Sequence, residues 1–262
     1  MNLLQRALIE KAGHDNGFEN VLQSSAGDWL NLGSARHATT VSVQAIAEGF
    51  DARLLISPSS LPAELARSFP SGSTAVASGA TAYRLADEAA LARWLRRTAA
   101  LAQALPNQAM KAFEADVEAA LASLEPAAAK NTEVQRMVRQ RVGQQAFRQA
   151  MLDYWQGSCA VTGLALPQAL KASHAKAWAL CTEDAERLDV FNGFLLSANL
   201  DALFDSYLAS FTDDGALLIA PSVPPVAREQ LGLTAGLQLR WMAPQHQPYL
   251  AFHRAQCQWL SW

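Results

Sequence analysis

The sequence is poor in cysteine and lacks long apolar runs. Its three cysteines, Cys159, Cys181 and Cys257, stand far apart and form no CxxC pair. This spacing argues against a disulfide framework and against a structural zinc site. The apolar runs are too short to cross a bilayer, and the first residues lack the basic-then-apolar layout of a secretory signal. We therefore expect a soluble cytoplasmic protein with neither structural zinc nor a membrane partner.

An excess of basic charge is also missing. The chain carries 21 Lys and Arg residues against 24 Asp and Glu residues, for a formal net charge of −3 at pH 7. Contact with nucleic acid would therefore have to come from a local cluster of basic residues, because the whole molecule offers no attractive field. The N-terminal region has neither the GxGxxG nor the GxxxxGKS/T pattern, so it gives no indication of a glycine-rich nucleotide-binding loop.

A linker-like stretch, EPAAAKN at residues 125–131, divides the sequence into two predicted domains, 1–125 and 132–262. The first mixes helix and strand signals and is expected to be an α/β domain. Its clearest predicted elements are three strands and a helix with Asp87 as N-cap: Asp28–Leu32, Thr39–Val43, Arg53–Ile56 and Glu88–Leu105.

The second domain opens with a long helix for which Thr132 is the expected N-cap. The apolar spacing predicts a buried side made of Val134, Val138, Val142, Phe147 and Met151. The basic residues of this helix outnumber its one early acid, Glu133; they are Arg136, Arg139, Arg141 and Arg148. A solvated helix face is one interpretation. The other is a face that contacts DNA phosphates, since the forked guanidinium suits phosphate oxygens.

Farther along, the pattern predicts strand, long loop, strand and helix. Short strands are expected at Cys159–Val161, at Leu170–Ala172 leading into His174, and at Phe194–Leu196. Asn192-Gly193 forms a turn before the last strand, and Ser197 caps a helix that carries Asp201 and Asp205. A base, an amide and an acid at these intervals can assemble a one-metal phosphodiesterase site.

The chemistry of each side chain fits that reaction. Phosphodiester hydrolysis needs a water molecule deprotonated near neutral pH, and histidine is the side chain whose ordinary pKa suits this step. It also needs a cation at the scissile phosphate, and hard cations such as Mg²⁺ prefer carboxylate oxygens. Each residue also has a structural interpretation: His174 as a hydrogen-bonded residue, Asn192 as part of a turn, and Asp201 as a solvated acid.

Four blocks, RVGQQAFRQAMLDYWQGSCAVTG, ASHAKAW, RLDVFNGFLLSANLDALFD and DDGALLIAPSV…YLAFHR, resemble the HNH endonuclease family in its restriction-endonuclease-like branch. The resemblance covers roughly residues 133–262. It implies an α+β protein in which a C-terminal ββα-metal nuclease domain is joined by a helical segment to the N-terminal α/β domain. By position, His174 matches the general base, Asn192 the residue that steadies the loop, and Asp201 the metal ligand on the helix.

The sequence departs from the family pattern at two places. Ser173 stands where many members carry an acid or a histidine as a further metal ligand, so Asp201 and Asp205 would hold the metal. Thr162 stands where a second cysteine would follow Cys159, so the resemblance implies no structural zinc. Carboxylate ligands favour Mg²⁺ or Mn²⁺, with one ion per site.

The resulting prediction is a divalent-metal-dependent DNA endonuclease of restriction or defence type that acts on double-stranded DNA. Lys176 and Arg187 are further candidates for DNA contact, with packing and a surface role as their alternatives. Since one such site cuts one strand, double-strand cleavage favours a homodimer. By analogy, the N-terminal domain is a DNA-recognition or dimerisation module. The competing hypotheses are a non-catalytic DNA-binding or regulatory protein that keeps the fold, and an RNA-directed nuclease.

Overall fold

A computed structural model describes residues 1–23, 28–70, 73–75 and 81–260. The chain forms two compact units, Met1–Gln108 and Ala109–Trp262. Within the described residues, no helix combines the length and the apolar character needed to span a bilayer. The protein has the mixed α/β composition that the sequence predicts.

The first unit is built on a six-stranded antiparallel sheet. Its elements are α1 (Leu3–Asp15), β1 (Asn20–Leu22), β2 (Leu30–Gly33), β3 (Thr40–Ala45), β4 (Phe50–Ile56), α2 (Leu61–Ser68), β5 (Ser73–Ala75), β6 (Thr81–Leu85) and α3 (Glu88–Ala104). The strands lie in the order β1-β2-β3-β4-β6-β5. The three predicted strands and the predicted helix are all present, shifted by a few residues at their ends.

Alternation along the strands explains how this unit builds its core. On β3, Val41 and Val43 are fully buried, and both point to one face because successive side chains of a strand alternate. Helices α1 and α3 pack against the strands, and Tyr83 meets Trp94 of α3 with ring centroids 5.5 Å apart. The side chain of Asp87 accepts a hydrogen bond from the backbone N–H of Ala90 at 2.6 Å, which confirms it as the N-cap of α3.

The second unit contains a strand pair with a helix packed on it. It contains most of α4 (Pro106–Ala122), which begins in the last residues of the first unit. Its other elements are α5 (Pro126–Ala129), α6 (Thr132–Tyr154), β7 (Leu170–His174), α7 (Asp184–Arg187), β8 (Gly193–Ser197), α8 (Ala198–Asp205), β9 (Ala209–Phe211), β10 (Leu217–Ile219), α9 (Pro225–Gln230) and α10 (Gln247–Gln256). Strands β7 and β8 pair antiparallel, and α8 contacts both. This is the strand, loop, strand and helix order predicted from the sequence.

The start of the second unit differs from the sequence-based expectation. The stretch expected to be a linker contains α5, and the Gln135 side chain donates a hydrogen bond to the Ala129 carbonyl at 2.8 Å. The two compact units divide near Gln108, ahead of that stretch. The N-cap of α6 is Asn131 and not Thr132, because Asn131 Oδ1 accepts from the backbone N–H of Glu133 at 2.9 Å.

Cys159–Val161 is a turn, so the prediction of a strand there was wrong. The Cys159 backbone closes the turn, with its N–H bonded to the Leu164 carbonyl at 3.0 Å and its carbonyl to the Gly163 N–H at 3.1 Å. The Cys159 thiol also accepts the backbone N–H of Ser197 at 3.3 Å. A short apolar run followed by Thr-Gly is compatible with a buried turn as well as with a strand. Here the backbone hydrogen bonds of Cys159 form the turn.

Buried histidines fix α8 against the rest of the unit. His253 of α10 stacks on Phe204 with ring centroids 3.8 Å apart, and its Nε2 donates to the Phe204 carbonyl at 3.0 Å. Burial lowers the His253 pKa to about 4. Held neutral and bonded in the core, this residue positions the C-terminal end of α8, which carries Asp205.

Candidate active site

A cavity of about 590 Å³ is lined by residues from α6, β7 and α8. His174, Asp201 and Asp205 line it together, as does Ser173. The structure therefore brings the predicted base and both predicted metal ligands to one place. Asn192 does not line this cavity and acts on the loop behind it.

His174 is the last residue of β7 and pairs with Gly193 of β8. Its Nε2 lies 2.9 Å from the carbonyl oxygen of Arg187. Because a carbonyl only accepts hydrogen bonds, Nε2 must carry the proton and Nδ1 of the neutral ring keeps its lone pair. In this assigned tautomer, Nδ1 has the lone pair with which a general base accepts a proton.

Two aromatic side chains fix the plane of the imidazole. Phe147 of α6 stacks on His174 with centroids 3.7 Å apart and an interplanar angle of 17°. Trp178 meets the imidazole edge-on at 5.8 Å. Burial lowers the His174 pKa, against the opposing effects of the Arg187 carbonyl and the Asp205 charge. The ring therefore stays neutral, and able to accept a proton, to a lower pH than a free histidine.

Asn192 is fully buried and ties together the loop between β7 and β8. Its Oδ1 accepts from the Lys176 backbone N–H at 2.8 Å, and its Nδ2 donates to the Glu186 carbonyl at 3.0 Å. The next carbonyl along the chain, that of Arg187, is the one that His174 binds. The hydrogen bonds of Asn192 thus hold the backbone next to the Arg187 carbonyl, which in turn orients the His174 imidazole.

Gly193 is required by a close backbone approach. A Cβ atom built there would collide with the Ser173 carbonyl oxygen and lie 3.2 Å from the His174 Cα. The Asn-Gly pair is thus more than a turn signal, because any side chain at 193 would push β7 and β8 apart next to the base.

The two carboxylates differ in their surroundings. Asp201 is half-buried, whereas Asp205 is exposed. Ser173 Oγ donates a short hydrogen bond to Asp201 Oδ1. Ser173, which replaces a ligand in the family pattern, therefore orients the neighbouring carboxylate.

The donor set fits a hard divalent cation with few protein ligands. Within the described residues, no group of three or more His, Cys, Asp or Glu side chains is arranged to hold a metal. The cavity offers two carboxylates, an imidazole nitrogen and a hydroxyl group. Mg²⁺ is commonly bound by one or two carboxylates and completed by water and phosphate oxygens, so Asp201 and Asp205 suit such an ion.

Five of the six predicted DNA-contacting residues bond to groups of the protein itself, and three of these five make their bonds at the start of β7 or in the loop that follows it. Arg148 donates to the carbonyls of Leu170 and Pro167, each at 2.8 Å. Lys176 pairs with Glu186 at 2.6 Å. Arg187 donates to three acceptors in its own loop, the Trp178 and Cys181 carbonyls and the Asp184 carboxylate. These three residues brace the start of β7 and the loop after it.

The other three basic residues lie on α6. Arg136 pairs with Glu133 at 2.6 Å. Arg139 pairs with Glu114 at 3.0 Å and with Asp184 at 2.7 Å. Arg141 is exposed.

Sequence reasoning did not find the roles of Phe147 and Ser173. Both depend on how α6 and α8 pack on β7, for which the sequence holds no local signal.

Comparison with known proteins matches residues 159–212 to the family model described as HNH endonuclease. A search of curated proteins gives no match. The matched segment runs from the Cys159 turn to the end of β9 and contains His174, Asn192, Asp201 and Asp205. The resemblance to HNH endonucleases is therefore confirmed for this segment, and it indicates a nuclease-type function with DNA as substrate. Helix α6 and the first unit lie outside the match.

Proposed function

We propose that the protein is a divalent-metal-dependent endonuclease that hydrolyses phosphodiester bonds in double-stranded DNA. The observation that carries the proposal is the shared cavity. His174 presents the tautomer of a base there, beside two carboxylates of α8. All three side chains lie inside the segment that matches the HNH family.

In the proposed reaction, Nδ1 of His174 takes a proton from a water molecule as its oxygen attacks the phosphorus. The bond from phosphorus to one sugar oxygen breaks, and that oxygen leaves with the electron pair and gains a proton from solvent. Asn192 keeps the Arg187 carbonyl in place, so that the imidazole cannot turn. A Mg²⁺ or Mn²⁺ ion held by Asp201, with Asp205, would neutralise charge on the phosphate and the leaving oxygen.

The wider role of the protein is proposed from family resemblance and from analogy. A restriction or defence function in the cytoplasm follows from the branch of the family that the sequence resembles. Cleavage of both strands by sites that each cut one strand favours a homodimer. The first unit, which has its own core, is proposed as the DNA-recognition or dimerisation module by analogy with two-part restriction enzymes.

Plasmid cleavage tests the proposal. Wild-type protein with Mg²⁺ or Mn²⁺ should nick or linearise supercoiled plasmid, and a chelator should stop it. His174→Ala should lower the rate about 10²–10⁴-fold, the usual contribution of a general base. His14→Ala is the matched control, because His14 lies on the exposed side of α1. Intact plasmid with the wild type in both metals, across unmodified, methylated and hydroxymethylated DNA, would contradict the proposal.

A non-catalytic DNA-binding protein is the second candidate. It is favoured by Ser173, which occupies a ligand position of the family pattern yet bonds to Asp201. This alternative predicts salt-sensitive DNA binding that neither a chelator nor Asp201→Ala changes, with no cleavage by the wild type.

A further inference from the structure

A second cavity, of about 560 Å³, is lined by Arg136, Arg139 and Arg187, together with Trp178 and Asp184. We infer that this arginine cavity holds a phosphate of the DNA strand next to the scissile phosphate. The inference rests on the proposed DNA substrate. It assigns a position on that substrate to residues outside the catalytic cavity.

Trp178 connects the two cavities. This residue lines both cavities, whereas Ala177 before it lines only the catalytic cavity and Ala179 after it only the arginine cavity. The indole packs on Gly143 of α6, where a Cβ atom would collide with it. A DNA strand that leaves the catalytic cavity across Trp178 therefore enters the arginine cavity next.

The charges of the arginine cavity suit a phosphate. Its lining contains three arginine residues and one acidic residue, Asp184. Each of the three guanidinium nitrogens of Arg187 already donates one hydrogen bond to the loop, so this residue is held in the loop and contributes mainly its charge. Arg136 and Arg139 are three residues apart on α6 and therefore share a face, which leaves them as the groups that would bind the phosphate directly.

Two acids outside the cavity lining, Glu133 and Glu114, pair with these arginines, and Asp184 inside it also pairs with Arg139 at 2.7 Å. Arg136 pairs with Glu133, and the two side chains remain 69% and 64% exposed. The side chains of Arg139 and Glu114 are 39% and 49% exposed. Exposed ion pairs of this kind contribute little to stability. A phosphate can thus replace Glu133 and Glu114, since guanidinium binds phosphate through the same pair of parallel hydrogen bonds.

DNA binding by a His174→Ala background tests the inference without cleavage. Fluorescence anisotropy measures the affinity for a short duplex over a range of salt concentrations. It compares the His174→Ala protein that also carries Arg136→Ala with the one that also carries Arg141→Ala. Arg141 is the matched control, because it is exposed on the same helix and outside the cavity lining. Arg136→Ala should weaken binding about 3–10-fold and lower the salt slope by about 1, as expected for one lost phosphate contact. Arg141→Ala should change binding less than about twofold.

Neutral phosphate analogues then locate the contact. Duplexes with single methylphosphonates should show one position beside the cleaved bond where the His174→Ala protein loses affinity and the Arg136→Ala protein does not. Arg136→Glu should weaken binding further. Since Arg136 is exposed, a thermal melt should show each variant folded.

The inference would be overturned if the Arg136 and Arg141 variants lost equal DNA affinity. It would also be overturned if the Arg136→Ala protein responded to every methylphosphonate as the His174→Ala protein does. The arginines would then form an ion-pair network that binds no ligand. Plasmid cleavage by the wild type separates this failure from failure of the proposed function. If the wild type cleaves plasmid but Arg136→Ala affects DNA binding no more than Arg141→Ala, only the phosphate site in the arginine cavity is ruled out. Arg136-dependent binding without cleavage supports the cavity and removes the nuclease chemistry.

Discussion

The segment from β7 to α8 and the basic helix α6 both carry predicted functional residues. The two regions differ in how the positions of those side chains are determined. In the segment, backbone pairing between β7 and β8 sets His174 opposite Gly193, and α8 brings its acids to the same cavity. On α6, the arginines end in long side chains whose partners depend on what packs nearby. Arg148 bonds to backbone carbonyls, whereas Arg141 is exposed. Position along a paired strand thus predicts which side chains come together better than charge along a helix does.

Two glycine substitutions test this contrast most strongly. Gly193→Ala should destabilise the protein by about 1–3 kcal/mol, the range for overpacking, because its new Cβ meets the Ser173 backbone, which cannot move independently. Gly143→Ala on α6 meets the end of the Trp178 side chain, and the gain in helix propensity of about 1 kcal/mol offsets part of the strain. Urea unfolding measures both. A Gly193→Ala protein as stable and active as the wild type would break the comparison.

Two arginines of the same helix should differ in their effect on stability. Arg148→Ala leaves the Leu170 and Pro167 carbonyls without their charged donor, and we expect a loss of about 1–3 kcal/mol in the free energy of unfolding. Arg141→Ala should stay within about 0.5 kcal/mol of the wild type, as for an exposed residue. Thermal or urea unfolding gives both values. Equal effects would show that the observed bonds of Arg148 contribute no stability.

The pH dependence of cleavage tests whether burial lowers the pKa of His174. The base works in its neutral form, so activity falls as pH drops through its pKa. Burial lowers that pKa, which places the acid limb of the kcat/KM profile below the ordinary value of about 6.5. Phe147→Ala uncovers one face of the ring and should move the limb toward higher pH. A limb above 6.5 in the wild type, or one unmoved by Phe147→Ala, would contradict this account of the environment.

The sequence predicts the elements of the candidate site well because local order and chemistry are enough there. His174, Asp201 and Asp205 share one cavity. Of the predicted buried side of α6, Phe147 and Met151 are buried, whereas Val134, Val138 and Val142 are only half-buried. The stack of Phe147 on His174 was not predictable, since it depends on the rotation of α6 against β7. The same holds for Ser173, whose partner Asp201 lies 28 residues away in the chain.

Predictions were weaker where local signals were ambiguous. EPAAAKN has the composition of a linker, yet Pro126 also suits the first turn of a helix, and α5 begins there. For the helix that follows, Asn131 and Thr132 are both good N-caps, and the side-chain bonds of Asn131 decide between them. Charge counts on α6 could not say which arginines brace the protein and which remain available to a ligand.

Binding of Mn²⁺, followed by electron paramagnetic resonance, tests the central claim that α8 and β7 form one metal site. The wild type should bind one ion per chain, Asp201→Ala should lose it, and Asp205→Ala should bind it more weakly. Glu118→Ala, which removes an exposed carboxylate of α4, should leave binding unchanged. Equal Mn²⁺ binding by the wild type and Asp201→Ala, or none by the wild type, would contradict the account.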